Sequence, residues 1–309
     1  MVISKRWLPW VTGTVVALFL VIAVPGSPVA TWLSDFLLGS HGEIAGAHVQ
    51  AVPVPGGAAA RPALRAAVAA MISPQQTYLR YREIFETVAQ RLGRPLIFVQ
   101  RKTYGEINEL LEAGDIDLAW ICTGALEDLR VHGGVRMVAM PMVSGRPQYR
   151  AYVIVREPGR IRSLQDLRGR KFAFTDPLSL TGRKVIVRWL RERGTNPEAF
   201  FSNTFFTHAH DNSILAVRRG LADGATVDSL VYDWLRRAVP EKVKGTRVIW
   251  RSEWFPIPPL VVPNGLDPGY RRRIQKALLG LGSDPATRKI LDEIGVDRFA
   301  AADPDLYSR

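Results

Sequence analysis

The chain is poor in the residues that build metal centres and crosslinks. It has one cysteine in 309 residues, Cys122, which excludes an internal disulfide and any cysteine-rich zinc or iron–sulfur site. Its five histidines never recur at i, i+3 or i+4, so no helix presents a histidine metal pair. Low-complexity tracts and short-period repeats are missing. So are zinc-finger spacing, an RNP-like aromatic motif and an N-terminal helix-turn-helix pattern. No GxSxG, HExxH or two-carboxylate arrangement speaks for catalytic turnover.

What is present describes a folded protein. Hydrophobic residues make up 47% and charged residues 23%, close to the globular average. The length corresponds to about two domain-sized units, enough to bury roughly three quarters of the unfolded surface. Lys and Arg total 41 against 29 Asp and Glu, a formal net charge of +12. Such an excess serves nucleic acid, an anionic membrane surface or a small anion. The densest basic runs, Arg188–Arg193 and Arg271–Arg273, fit solvated faces of amphipathic helices, which disfavours nucleic acid.

Lys5 and Arg6 precede an apolar run from Trp7 to Val24. A short positive region before an apolar stretch is an export signal. Its 18 residues also reach the minimum for a membrane span, with Trp7 and Trp10 as interfacial anchors. A cleaved signal and an uncleaved anchor are both open, and residues 1–30 are assigned to this segment. Either places the remainder outside the cytoplasmic membrane, in the periplasm or its equivalent. Residues 31–62, with Pro53-Val54-Pro55-Gly56-Gly57, read as a linker.

From Leu64 onward strands alternate with helices. Leu64–Met71, Leu96–Val99 and Asp117–Cys122 read as strands. Thr77–Leu92 and Tyr104–Ala113 read as helices, and Tyr78, Tyr81, Ile84, Phe85, Val88 and Leu92 share one stripe. The pattern restarts at Tyr149–Val155 and continues through Arg170–Phe174, a helix over Arg183–Arg193, Asn203–Thr207, a helix over His210–Gly220 and Ala222–Val227. Arg247–Arg251, a Pro-rich crossing at Pro256–Val262 and two helices after Asp267 and Asp284 complete it. The alternation predicts an α/β architecture of two lobes. Lobe one takes residues 63–154 with 257–309, and lobe two takes residues 155–256.

The stretch Phe174–Gly182 runs from strand through an Asp-Pro turn into small hydroxylated residues that open a helix. That leaves free backbone N–H groups and a positive dipole end for an anion. Ser179 and Thr181 add hydroxyl donors, although helix capping alone accounts for many such residues. His210 opens another helix after a strand. Asp228 ends a strand, where it either meets a partly protonated anion, orients His210 or caps the next helix. Cys122 stands directly before Thr123-Gly124 at a third helix start.

These segments resemble the PhnD-like periplasmic binding proteins for phosphonate, phosphite and phosphate, the extracytoplasmic partners of ABC importers. The resemblance rests on Ile72-Ser73-Pro74 with Tyr78, Tyr104-Gly105-Glu106-Ile107, Gly114–Trp120, Phe174–Gly182, Thr207–Val217 and Gly220–Ser229, in order along the chain. It implies a type II clamp with mixed sheets, helices on both faces and hinge strands between the lobes. It also implies a small oxyanion held by Tyr78, Cys122, Thr123, Ser179, Thr181, His210 and Asp228, with no metal, no cofactor and no catalysis. Tyr81 is assigned to the core and His208 to a bystander position. The acidic pair expected for an aminophosphonate's ammonium group has no counterpart. A branch of arsenite-responsive sensors resembles the same pattern and uses a cysteine at this place, since As(III) prefers sulfur. The partner is therefore an ABC permease or, in the alternative, a two-component sensor kinase reached by a membrane-anchored sensor.

Overall fold

The computed structural model describes residues 62–131 and 134–308. The Trp7–Val24 segment and the linker through Arg61 lie outside the described residues. The first half runs β1 (Leu64–Val68), α1 (Pro74–Leu92), β2 (Leu96–Val99), α2 (Tyr104–Glu112), β3 (Leu118–Trp120), α3 (Thr123–Val131) and β4 (Val135–Met142). Then come β5 (Gln148–Tyr149), β6 (Ala151–Arg156), β7 (Lys171–Phe174), a π-helical turn (Leu180–Lys184), α4 (Val185–Arg191), α5 (Pro197–Phe200), β8 (Asn203–Phe206), α6 (His210–Arg218), β9 (Gly224–Asp228) and α7 (Ser229–Ala238). The chain closes with β10 (Thr246–Arg251), β11 (Phe255–Pro256), β12 (Leu260–Pro263), α8 (Pro268–Leu279), α9 (Pro285–Ile294) and β13 (Arg298–Ala300).

Local chemistry sets the ends of these elements. Proline opens α1, where no backbone N–H partner is needed, and Gly93 closes it in the left-handed conformation at φ 65°. In α2 the Thr103 and Glu106 side chains cap each other's backbone N–H groups.

Two sheets organise the described chain. The first has six strands in the order β13-β4-β12-β3-β1-β2, and the second has five in the order β10-β6-β9-β7-β8. Both are mixed. β1 runs parallel to β2 and β3, whereas β12 runs antiparallel to β3 and β4. Each sheet is buried on both faces, which is why its strands read as nearly continuous apolar runs. Ala66 and Val68 enter one core and Ala67 the opposite one. In the second sheet Ile154 faces one core, and Val153 and Val155 face the other. The C-terminal helices α8 and α9 pack on α1, and Arg273 donates to the Leu92 carbonyl at 2.9 Å.

This is the two-lobed clamp expected from the sequence. One strand went unread: β4 contains Pro141, which argues against a strand interior. Here β4 pairs with β12 as far as Ala139 and with the short β13 from Met140 onward, so the proline lies beyond the β12 pairing, opposite Phe299 of β13. Two stretches connect the sheets, and they pair with each other as β5 and β11, Tyr149 opposite Phe255 and Gln148 opposite Pro256.

The lobes are closed against one another. Lys184 Nζ donates to the Gly124 carbonyl at 2.7 Å and to Glu127 Oε2 at 3.0 Å. Tyr104 N donates to Asp176 Oδ2 at 3.1 Å, and His210 N to the Met71 carbonyl at 3.0 Å. Asp211 accepts from Ser73 N at 2.8 Å and from Ser73 Oγ at 2.7 Å. Among the described residues no helix is long and apolar enough to cross a membrane.

Candidate functional site

Three helical starts converge where the lobes meet. From the first lobe, β3 delivers Cys122 and Thr123 to the N-terminus of α3. From the second, β7 runs through Thr175 and Asp176 into the turn at Ser179. A third arm, β8 into α6, brings His210. The Asp176 carboxylate holds the turn, with Oδ1 accepting from Leu178 N at 2.8 Å and Oδ2 from Tyr104 N across the cleft. Ser179 Oγ accepts from Gly182 N at 3.0 Å, the capping bond that starts the π-helical turn.

Most residues expected at the site are buried here: Cys122, Thr123, Ser179, Thr181, His210 and Asp228 all fall at 5% exposure or less. The exception is Tyr78. It is 36% exposed, with its ring edge-on to Phe98 at 6.2 Å and its hydroxyl receiving a hydrogen bond from Arg82. The structure does not bring it to the others. Tyr81, one turn later on the same stripe, faces the cleft instead, edge-on to Trp120 at 5.2 Å. Burial, and then the nearby Asp228 charge, push its hydroxyl up to about 12.

Two further tyrosines complete the cluster. Tyr104 and Tyr149 are fully buried. Both hydroxyls are held well above their usual range, first by burial and next by the neighbouring Cys122. Tyr149 stands 4.0 Å from Cys122 Sγ. Tyr104 lies beside Ser179, yet its hydroxyl has no hydrogen-bond partner, and neither has Thr181 Oγ1. An unpaired buried hydroxyl costs about 1–3 kcal/mol. One such hydroxyl comes from each lobe.

The ionisable groups here are neutral or poised. Burial pushes the Cys122 thiol up, against the N–H groups of Leu180 and Gly124 that point at its sulfur. His210 is pushed down to about 3 by burial, and its Nδ1 accepts from Asp228 N at 3.1 Å. The proton of the neutral ring therefore sits on Nε2. Thr175 Oγ1 lies 3.0 Å from the same Nδ1 and 3.2 Å from Ser213 Oγ, so the imidazole is fixed in place. Asp228 caps α7, accepting from Leu230 N at 2.6 Å, and burial pushes its carboxyl up to about 7. No Lys or Arg among the described residues is buried, and no cluster able to hold a metal occurs among them. Charge on a ligand would be met by hydroxyls, backbone dipoles and one shared proton.

The sequence pointed to Tyr104 only through its place in a family-like motif, since a tyrosine at a helix start carries no chemistry of its own. Tyr149 gave no local signal. It reaches the site because the chain crosses between lobes there.

A family model for periplasmic substrate-binding proteins of phosphonate ABC transporters matches residues 66–307. Among curated proteins, the phosphonates-binding periplasmic protein of Escherichia coli is 24% identical over 235 residues, covering 74% of this chain and 69% of that one. A phosphate-import protein of Mycolicibacterium smegmatis is 28% identical over 185 residues, covering 56% of this chain and 57% of the relative. Among solved structures, a binding protein component of a phosphonate ABC transporter from Pseudomonas aeruginosa superposes with a TM-score of 0.75. It is 23% identical, with 80% of this chain and 83% of that one covered.

Proposed function

The chain belongs to the periplasmic substrate-binding proteins of phosphonate ABC transporters, and from that membership we propose that its hydroxyl cluster grips the tetrahedral oxyanion head of a phosphonate or phosphate. The observation that carries this is the pair of buried, unpartnered hydroxyls on opposite lobes, Tyr104 and Thr181. Ser179, Thr123 and the N–H groups around Cys122 surround them, and an oxyanion with several acceptor oxygens satisfies them together. Asp228 serves as the proton-sharing wall. Protonated, it donates to a dianion, and ionised, it accepts from the P–OH of a monoanion. His210 offers its Nε2 proton from a position fixed by Asp228 N and Thr175.

The role is binding without turnover. A nucleophilic Cys122 would need its thiolate favoured, and burial does the opposite. The same argument weighs against a single sulfur as the main ligand for arsenite, and the comparisons lend the sensor reading no support. In transport the closed clamp is the form presented to the permease. Of the divisions read at residues 154/155 and 256/257, the first falls inside β6, all of which pairs within the second sheet, so we place that crossing ahead of Ala151.

Thr181→Val and Tyr104→Phe are the direct tests, because each removes one unpaired oxygen and keeps its shape. Calorimetry with phosphate and methylphosphonate is expected to show each variant weaker by about 1–3 kcal/mol. Wild-type affinity in both variants would remove the cluster as the binding site.

A further inference from the structure

Beyond Asp228 the cleft continues into a cavity of about 410 Å³. That volume is in the range of pockets, roughly 300–1,000 Å³, that enclose small organic molecules. It exceeds what a head group in the hydroxyl cluster would use, since Tyr104, Cys122, Ser179 and Thr181 do not line it. Asp228 and Tyr81 belong to both spaces and join them. The walls are largely aromatic and aliphatic: Tyr81, Trp120, Trp254 and Ile257. Trp120 is held in place, its indole N–H donating to the Pro258 carbonyl at 2.9 Å, with Tyr81 on one side and Phe299 at 5.5 Å. Trp254 keeps 43% exposure with the Arg150 guanidinium 4.3 Å over its ring, which leaves part of its apolar surface to cover.

The charges lining this cavity disfavour a cation. Asp211 spends both oxygens on Ser73. Asp233 accepts from the Tyr152 hydroxyl at 2.9 Å and pairs with Arg236 at 3.1 Å. Arg80 lies 3.6 Å above the Trp234 ring, and Arg146 is 5.9 Å from that of Trp254. A free ammonium entering here meets guanidinium groups and committed carboxylates.

We propose that the ligand is an organic phosphonate or phosphate monoester whose flat, uncharged group, aryl or heteroaryl, fills this cavity while its head group occupies the hydroxyl cluster. The inference rests on the oxyanion reading of that cluster. Aromatic walls suit a planar group because ring faces and edges pack favourably against one another. A methyl substituent would leave most of this volume unfilled.

The test is calorimetry of the full chain against phosphate, methylphosphonate, 2-aminoethylphosphonate and phenylphosphonate. Phenylphosphonate is expected to bind at least tenfold tighter than methylphosphonate. Leu230→Trp, which adds bulk to the cavity wall, is expected to erase that advantage and leave methylphosphonate within threefold of wild type. Trp254→Ala, at a half-exposed position, is expected to reduce it. If methylphosphonate or 2-aminoethylphosphonate binds as tightly as phenylphosphonate, and Thr181→Val still weakens all of them, the cavity proposal is overturned and the oxyanion site stands. If none of the four binds, both readings fall. An advantage for phenylphosphonate that survives in Leu230→Trp also overturns the proposal, since the ring would then bind elsewhere.

Discussion

Gly124→Ala is expected to weaken ligand binding by about a hundredfold or more while the protein stays folded. Gly124 sits in the first turn of α3, and the closed clamp presses the other lobe's turn directly against it. A Cβ there would stand 2.2 Å from the Leu178 carbonyl oxygen and 2.7 Å from Leu180 N. Both are backbone atoms, and Ser179 between them is tied down by its capping bond, so the turn cannot step aside. The lobes must part instead. A binding-competent state that is rarely populated lowers apparent affinity by that same fraction, and a hundredfold loss corresponds to about 2.7 kcal/mol. Within α3 itself alanine is a better helix former than glycine by roughly 1 kcal/mol, so the melting temperature without ligand should hold or rise. Calorimetry and thermal melting together decide the matter. Affinity within threefold of wild type would show that ligand capture does not need this contact.

The second large effect concerns acidity. Asp228 has its carboxyl raised to about 7 and His210 its imidazole lowered to about 3, each chiefly by burial. Unfolded, these groups titrate near 3.9 and 6.5. Between pH ~4 and ~7 the folded chain keeps the Asp228 proton that the unfolded chain has lost, so this group's stabilisation fades as pH rises. Between pH ~6.5 and ~3 the unfolded chain takes up a His210 proton that the folded chain refuses. That contribution fades as pH falls. Over pH ~4 to ~6.5 the two slopes oppose each other at about 1.4 kcal/mol per unit each, and wild type should show little net change from this pair. Asp228→Asn should leave the His210 slope exposed, so the variant loses stability relative to wild type on acidification. His210→Gln should do the reverse, losing stability relative to wild type as pH rises. Urea unfolding at pH 4.5, 5.5 and 6.5 reads the differences. Profiles parallel to wild type in both variants would mean that neither group is buried as described.

The architecture was legible because α/β folds write themselves in apolar runs and punctuation. Leu96–Val99 is a strand with the bounds read from its four apolar residues, and Asp267 and Asp284 cap the two helices expected after them. Ser179, Thr181 and His210 were read from turns that lead a strand into a helix, and the structure buries all three, while local sequence alone gave helix capping an equal claim on them. The aromatic side of the site was harder to read. Tyr78 and Tyr81 share one helical stripe, and periodicity cannot say which turn overlies the sheet and which overhangs Phe98. That is decided by where α1 sits on β1 and β2, a tertiary fact. Tyr149 was read as the start of one strand through Val155, whereas the chain breaks at Arg150 and Tyr149 lies on the two-residue crossing strand β5, a tertiary fact that an apolar run does not carry.

The absence of a buried lysine or arginine among the described residues has a kinetic consequence. The described lysines and arginines are partly or fully exposed, so their attraction for an anion acts largely through solvent and is screened over about 8–10 Å at physiological ionic strength. The grip itself comes from hydroxyls and peptide dipoles within contact distance, which added salt does not reach. Raising ionic strength should therefore slow the association of an anionic ligand and leave its dissociation rate nearly unchanged. Capture is electrostatic at long range and nearly salt-blind once the clamp has shut.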